Sequence, residues 1–232
     1  MIRAVHVVIP ARDEEALLPR CLLSVDRARR VLRACRPDLL IDVTVVLDGC
    51  ADGSADVVEA ARIGSLVVDH GLVGAARHAG VSRAVDAAAE SGVAADDLWV
   101  ACTDADSVVP PHWLVAQVGL ATTRDLVIGT VEPIGLADTA LLEAWRERHE
   151  LAEGHAHVHG ANLGFRASTY LAVGGFRATA LHEDVDLVRR IRAHTTRWVA
   201  TDSTRVGSSA RGQGRTPGGF AGFLATLADE VG

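Results

Sequence analysis

Four short runs crowded with β-branched and aliphatic residues punctuate the first half of the chain. They are AVHVVIP at 4–10, IDVTVVLDG at 41–49, GSLVVDH at 64–70 and DLWVACTD at 97–104. Each is too short for a helix and nearly continuous in apolar character, so each reads as a strand buried on both faces. The stretches between them keep a different period. Residues 14–34 carry Leu17, Leu18, Cys21, Leu22, Val25 and Ala28 at helical spacing. SADVVEAAR at 54–62, with Ser54 placed to cap it, and an Ala-rich segment at 73–91 repeat that spacing. A helix between two strands carries the chain back to the same end of the sheet, so the strands pair side by side in parallel. The expectation is an α/β fold with a mostly parallel sheet flanked by helices.

After residue 110 the alternation loosens. PHWLVAQVGLA predicts a helix, DLVIGTVEP (125–133) a strand, and DTALLEAWRERHELAEG (138–154) an amphipathic helix. HGANLGFRASTYLAVGGF (159–176) reads as a Gly-rich turn with a strand and a short helix. EDVDLVRRIRA (183–193) predicts a helix with acids in its first turn, and RWVATD (197–202) a last strand.

Ligands of open α/β sheets gather beyond the carboxyl ends of the strands. Pro10, Ala11, Arg12, Asp13 and Glu14 stand there after the first strand, Asp48 and Gly49 after the second, and Asp104, Ala105 and Asp106 after the fourth. With 19 Asp in 232 residues, chance alone supplies about 1.6 D-x-D triplets. The two present, Asp104/Asp106 and Asp184/Asp186, therefore decide nothing by number. Placement is what separates Asp104/Asp106 from a surface turn or a helix cap. Two carboxylate oxygens at a strand end suit a hard divalent cation.

The charge balance narrows the partners. The net charge is -7, and all 23 basic residues are Arg. A chain this acidic lacks the basic face that nucleic acid demands, although local Arg clusters still suit phosphate. Cys21, Cys35, Cys50 and Cys102 form no C-x-x-C pair and suit a reduced compartment. The start, MIRAVHVVIPARDEE, meets charge and proline too early for a secretory signal, and no apolar run nears the ~20 residues that span a bilayer. A cytoplasmic location is expected, and a homodimer is compatible with everything above.

VVIPARDEE, VVLDGCADGS, GAARHAGV, CTDADS, HGANLGFRASTYLAVGGF and HEDVDLVRRI occur in the order, and at roughly the spacing, of family 2 glycosyltransferases. No single motif is specific; six in order are. Over residues 4 to 202 the chain resembles that family, whose fold is GT-A and whose members transfer a sugar from a nucleotide-sugar to an acceptor. The resemblance implies a nucleotide-sugar-binding half at 1–109 and a fused acceptor-binding and catalytic half at 110–206. Residues 207–232 are expected to form a flexible loop and a C-terminal helix.

The resemblance also implies roles. Asp106 would meet Mn²⁺ or Mg²⁺ and Asp104 the ribose. Asp48 would accept the base N3–H, which favours UDP, and Arg77 would steady the nucleotide. Pro10, Ala11, Arg12 and Glu14 would complete the nucleotide site. Asp184 and Glu183 would be the catalytic carboxylates, Asp184 as the general base, in keeping with inversion. Asp13 and His78 stand where the family usually has Asn, and its late His metal ligand has no counterpart in RVGSSARG.

His149, His155, His157 and His159 lack the spacing of a zinc site and read as a loop or strand lining the acceptor pocket. His159, Asn162 and Arg166 are candidate contacts there for a small-molecule, glycan or lipid acceptor. Arg211 and Arg215, among glycines in ARGQGRTPGG, are candidates to fold over the diphosphate or to form a tail. Two readings stay open beside inverting transfer. One is a retaining transferase resembling the glucosyl-3-phosphoglycerate synthases, and the other a nucleotide-sugar-binding module without turnover. A dehydrogenase lacks its G-x-G-x-x-G, and a nucleotidyltransferase lacks its Gly-rich loop after the first strand.

Overall fold

The computed structural model describes residues 1–211 apart from 137, 150 and 180, together with Leu227. The first half alternates as its sequence requires: β1 (Ala4–Ala11), α1 (Leu18–Cys35), β2 (Leu40–Asp48), α2 (Ser54–Ala60), β3 (Gly64–Val68), α3 (Val73–Glu90) and β4 (Leu98–Cys102). The second half adds β5 (Ser107–Val108), α4 (Trp113–Leu120), β6 (Leu126–Ile134), α5 (Thr139–Arg148), β7 (Leu163–Arg166), α6 (Ala167–Ala172), α7 (Glu183–His194) and β8 (Trp198–Ser209).

The eight strands of the described residues form one sheet in the order β3-β2-β1-β4-β7-β6-β8-β5. The pairings β3/β2, β2/β1, β1/β4 and β6/β8 are parallel. β7 enters antiparallel to both β4 and β6, and β5 antiparallel to β8. The parallel order β3-β2-β1-β4 brings the ends of β1, β2 and β4 to one edge, as the strand-end reading required. The turn β4–β5 holds Asp104 and Asp106 over that edge.

Burial on both faces explains the continuous apolar runs. Val5, Val7 and Ile9 of β1 face a core shared with Leu18, Leu22 and Val25 of α1 and with Trp113 of α4. Ala4 and Val8 face the other side, with Val81 and Ala84 of α3 and Leu187 and Ile191 of α7. A satellite cluster joins Leu141 and Trp145 of α5 to Leu227.

Three local expectations change. The helix expected over 138–154 ends at Arg148, where His149 turns extended (φ −124°, ψ 105°) and Gly154 follows in the left-handed region. Ser54 lies inside α2, behind an N-cap at Gly53, and its hydroxyl accepts from the Glu14 N–H at 2.8 Å. β8 runs through Ser209, paired with β5 and β6, so residues 207–209 are strand rather than loop. The C-terminal helix and Arg215 lie outside the described residues, Leu227 excepted.

Candidate active site

Arg77 on α3 is the hub of the edge. It is almost fully buried, its Nη2 donates to Asp104 Oδ1 at 2.6 Å, and its Nη1 donates to Glu183 Oε1. Burial would lower the pKa of this guanidinium, but the charges of Asp104 and Glu183 raise it further, and the net shift is upward. Gly160 makes room for the fork, because a Cβ there would sit 2.5 Å from Arg77 Nη2. The pair closes α3, the end of β4 and the start of α7 around one ionic joint.

Asp184 lies next to that joint. Its Oδ2 accepts from Gly160 N–H at 2.7 Å and its Oδ1 from Val185 N–H at 2.8 Å. Two backbone donors fix the carboxylate while each oxygen keeps a lone pair for another partner. Arg77, Asp104, Glu183, Asp184, His157 and His159 all line one cavity of about 520 Å³. His149 lines it too, and Trp145, His149, His157 and His159 succeed one another as near-parallel rings. Burial holds His159 down at about 4 despite the pull of Asp184, so the ring is neutral near pH 7. His149 is lowered as well, by burial. The sequence reading expected all four histidines to line an acceptor pocket; His149, His157 and His159 line this cavity, whereas His155 turns inward to the Ile128 carbonyl at 3.2 Å.

Asp106 sits outside that cavity, on the α1 side. Arg211, just past β8, reaches Glu14 with both terminal nitrogens, at 2.6 and 2.5 Å, and approaches Asp106 Oδ2 at 3.2 Å. Burial and the charge of Asp104 push the Asp106 carboxyl up to about 6; Arg211 opposes this and Glu14 adds to it.

The matched family decides the identity. The family model described as glycosyl transferase family 2 matches residues 6–172. The chain belongs to glycosyl transferase family 2. Its fold is that of GT-A glycosyltransferases among solved structures. S. aureus TarS 1-349 in complex with UDP-GlcNAc matches with a TM-score of 0.65 at 14% identity, over 95% of this chain and 62% of that one. The mannosyltransferase PcManGT from Pyrobaculum calidifontis, in complex with GDP-Man and Mn2+, matches with a TM-score of 0.60 at 18% identity, over 91% and 58%. A mycobacterial protein matches with a TM-score of 0.59 at 18% identity, over 99% and 72%. The chain thus spans less than two thirds of TarS 1-349 or of PcManGT. No curated protein matches the sequence.

Members of this family commonly use a divalent metal, and the residues around Asp106 fit one. Glu14, Asp104 and Asp106 set three carboxylates against two guanidinium groups, Arg211 at Glu14 and Asp106 and Arg77 at Asp104, and Asp106 is raised by its burial first and by its carboxylate neighbours next. Among the described residues no convergent trio of ligand atoms includes Asp104 or Asp106. The chain would therefore offer one or two oxygens and leave the other positions to phosphate and water, as hard cations allow. The trio that does converge, Asp13, Cys50 and Asp52, is a turn: Asp13 accepts from Ala51 N–H, and Asp52 from Glu15 and Ser54 N–H.

The remaining expected residues separate into two groups. Pro10 and Ala11 end β1, exposed Arg12 follows beside Gly71, and Asp48 accepts from His70 and Gly71 N–H at 2.6 and 3.1 Å. The family's Asn is replaced at Asp13 without strain, since the site is left-handed (φ 51°) and Asp and Asn both tolerate that. Two candidates for the pocket are corrected. Asn162 is fully buried, donates to the Thr130 and Thr204 carbonyls at 2.8 and 2.7 Å, and accepts from Trp113 Nε1 at 3.0 Å. It pins β6 to β8 where Gly129 has no side chain to obstruct it. Arg166 pairs with Asp125 at 2.9 Å and with the Asp96 and Ala121 carbonyls, at the end of β4 away from the site. Asn162 spends both amide hydrogens on β6 and β8, and Arg166 does not line the cavity that holds Asp184. No signal in a single sequence distinguishes such a pin from a contact.

Proposed function

We propose that the chain transfers a sugar from a nucleotide diphosphate donor, UDP-linked by preference, to a hydroxyl acceptor with inversion. The observation that carries this reading is Asp184, held by two backbone N–H groups in the same cavity as Asp104 and Arg77. A hydroxyl is a poor nucleophile until a base takes its proton, and a positioned carboxylate contributes roughly 10²–10⁴-fold to such a step. In this reading the acceptor oxygen attacks the anomeric carbon as its proton passes to an Asp184 oxygen. The bond from that carbon to the diphosphate oxygen breaks, and the nucleoside diphosphate leaves. Glu183 positions rather than reacts, because its carboxylate is engaged with Arg77.

Asp104 and Asp48 would hold the ribose and the base. Asp106 would hold Mn²⁺ or Mg²⁺, which when bound neutralises charge developing on the departing diphosphate. The half from 110 onward, with its wall of stacked imidazoles, would receive the acceptor. TarS and PcManGT, whose solved complexes contain UDP-GlcNAc and GDP-Man respectively, support a nucleotide-sugar donor. No helix among the described residues is long and apolar enough to cross a membrane.

Asp184→Asn tests the reading. The expected outcome is unchanged donor affinity and a fall in kcat of at least about 10²-fold. Normal turnover in this variant would move the base elsewhere or replace inversion by retention.

A further inference from the structure

Among the described residues Arg211 is the one cation paired with both Glu14 and Asp106, from a position 197 residues after Glu14. Its two contacts are unequal. Glu14 is held by a two-pronged fork at 2.5 and 2.6 Å, while Asp106 meets a single nitrogen at 3.2 Å. Asp106 is also the carboxylate that the proposed function gives to the metal. We propose that Arg211 is a tethered cation that competes with the divalent metal for Asp106 and yields it when a nucleoside diphosphate binds. This rests on the metal assignment made above.

The argument is one of charge and geometry. A guanidinium and a divalent ion cannot share one oxygen of Asp106 without like charges in contact, so each weakens the other. The diphosphate changes that balance, because its oxygens accept the Arg fork bidentately and offer Arg211 a second anion. Metal and nucleotide then bind cooperatively, and linkage makes the coupling reciprocal. Arg211 is a positioning residue here: it sets when the metal binds rather than what the metal does. The consequence for the enzyme is that free metal does not load the site ahead of the donor.

The test is Mn²⁺ titration of the full chain, followed by the electron paramagnetic resonance signal of free Mn²⁺, alone and with saturating UDP or GDP. Wild type, Arg211→Gln, Arg211→Lys and Asp106→Asn are compared, with thermal melts to establish folding. The proposal expects Arg211→Gln to bind Mn²⁺ alone at least about 5-fold tighter than wild type, within the 5–150-fold range of allosteric couplings. It also expects nucleotide to strengthen Mn²⁺ binding less in that variant than in wild type. Arg211→Lys, which keeps the charge and loses the fork, should fall between, and it decides the matter if Arg211→Gln does not fold. Mn²⁺ affinity that depends on Asp106 but is unchanged or weakened in both Arg211 variants overturns the inference and leaves the metal assignment standing. Mn²⁺ binding that ignores Asp106→Asn, or is absent from every protein with and without nucleotide, removes the metal assignment and the inference together.

Discussion

Arg77→Met isolates the ionic joint on which the site is built. The substitution keeps an unbranched side chain of similar length but removes the charge that holds Glu183 and Asp104. The side chains of Arg77 and Glu183 are 4% and 7% exposed, so Glu183 would be left as a buried, uncompensated carboxylate. Asp104 is 33% exposed and can turn to water, so its share is small. Removing one partner of a buried pair costs about 3–5 kcal/mol, and with only Glu183 fully stranded the lower end applies, about 3 kcal/mol. That is a large part of the roughly 5–15 kcal/mol that stabilises a typical domain. Burial already raises Glu183, with Arg77 opposing, so in the variant protonation relieves it and the loss should shrink as pH falls from 7.5 to 5. Urea denaturation at the two pH values measures this. Adding Glu183→Leu should restore at least half of the loss, since the stranded charge is then gone. A cost below about 1 kcal/mol, or a double variant no more stable than Arg77→Met, would refute the picture of a buried joint.

The other predictions follow the same chemistry. Arg166→Ala should destabilise the fold by roughly 2 kcal/mol, by leaving Asp125 only the longer contacts of Arg197 and Thr195 and by removing the donors of two carbonyls, and leave donor and acceptor KM unchanged; a raised acceptor KM would return Arg166 to the pocket. His6, bonded to Thr44 at 2.8 Å, is held down at about 4 by burial, against an ordinary value of 6.5. The unfolded chain therefore takes up this proton first as pH falls. The contribution is whole above pH 6.5 and is lost towards pH 4, roughly 3 kcal/mol at most, and His6→Gln should flatten that part of the stability profile.

The sequence made the parallel half of the sheet readable because strands buried on both faces must be apolar without interruption, as Val5 to Ile9 show. It made the acidic edge readable because parallel strands share a carboxyl end, which put Glu14, Asp48 and Asp104 on one side in advance. The antiparallel entry of β7 and the two-residue β5 left no period to detect. Asn162 and Arg166 misled for a related reason. A polar residue in a Gly-rich motif looks the same whether it faces a substrate or ties two strands, and only partners such as Thr204 and Asp125 tell them apart. Arg211 stood out in the sequence only as a candidate for the diphosphate; its contact with Glu14 and Asp106 was not legible, because closing a loop of that length leaves no local trace.

The central claim is that the carboxyl edge of this sheet is a metal-assisted nucleotide diphosphate site. Thermal unfolding with UDP, GDP and dTDP, each with and without Mn²⁺, tests it most directly. Ligand at 100 times its Kd stabilises a fold by about 2.7 kcal/mol, which for a chain of this size raises Tm by roughly 5–11 °C. The account predicts such a rise with UDP plus Mn²⁺, a smaller one with GDP or dTDP, and loss of the UDP response in chelator and in Asp106→Ala. No shift with any of the three nucleotides, with or without Mn²⁺, would contradict it.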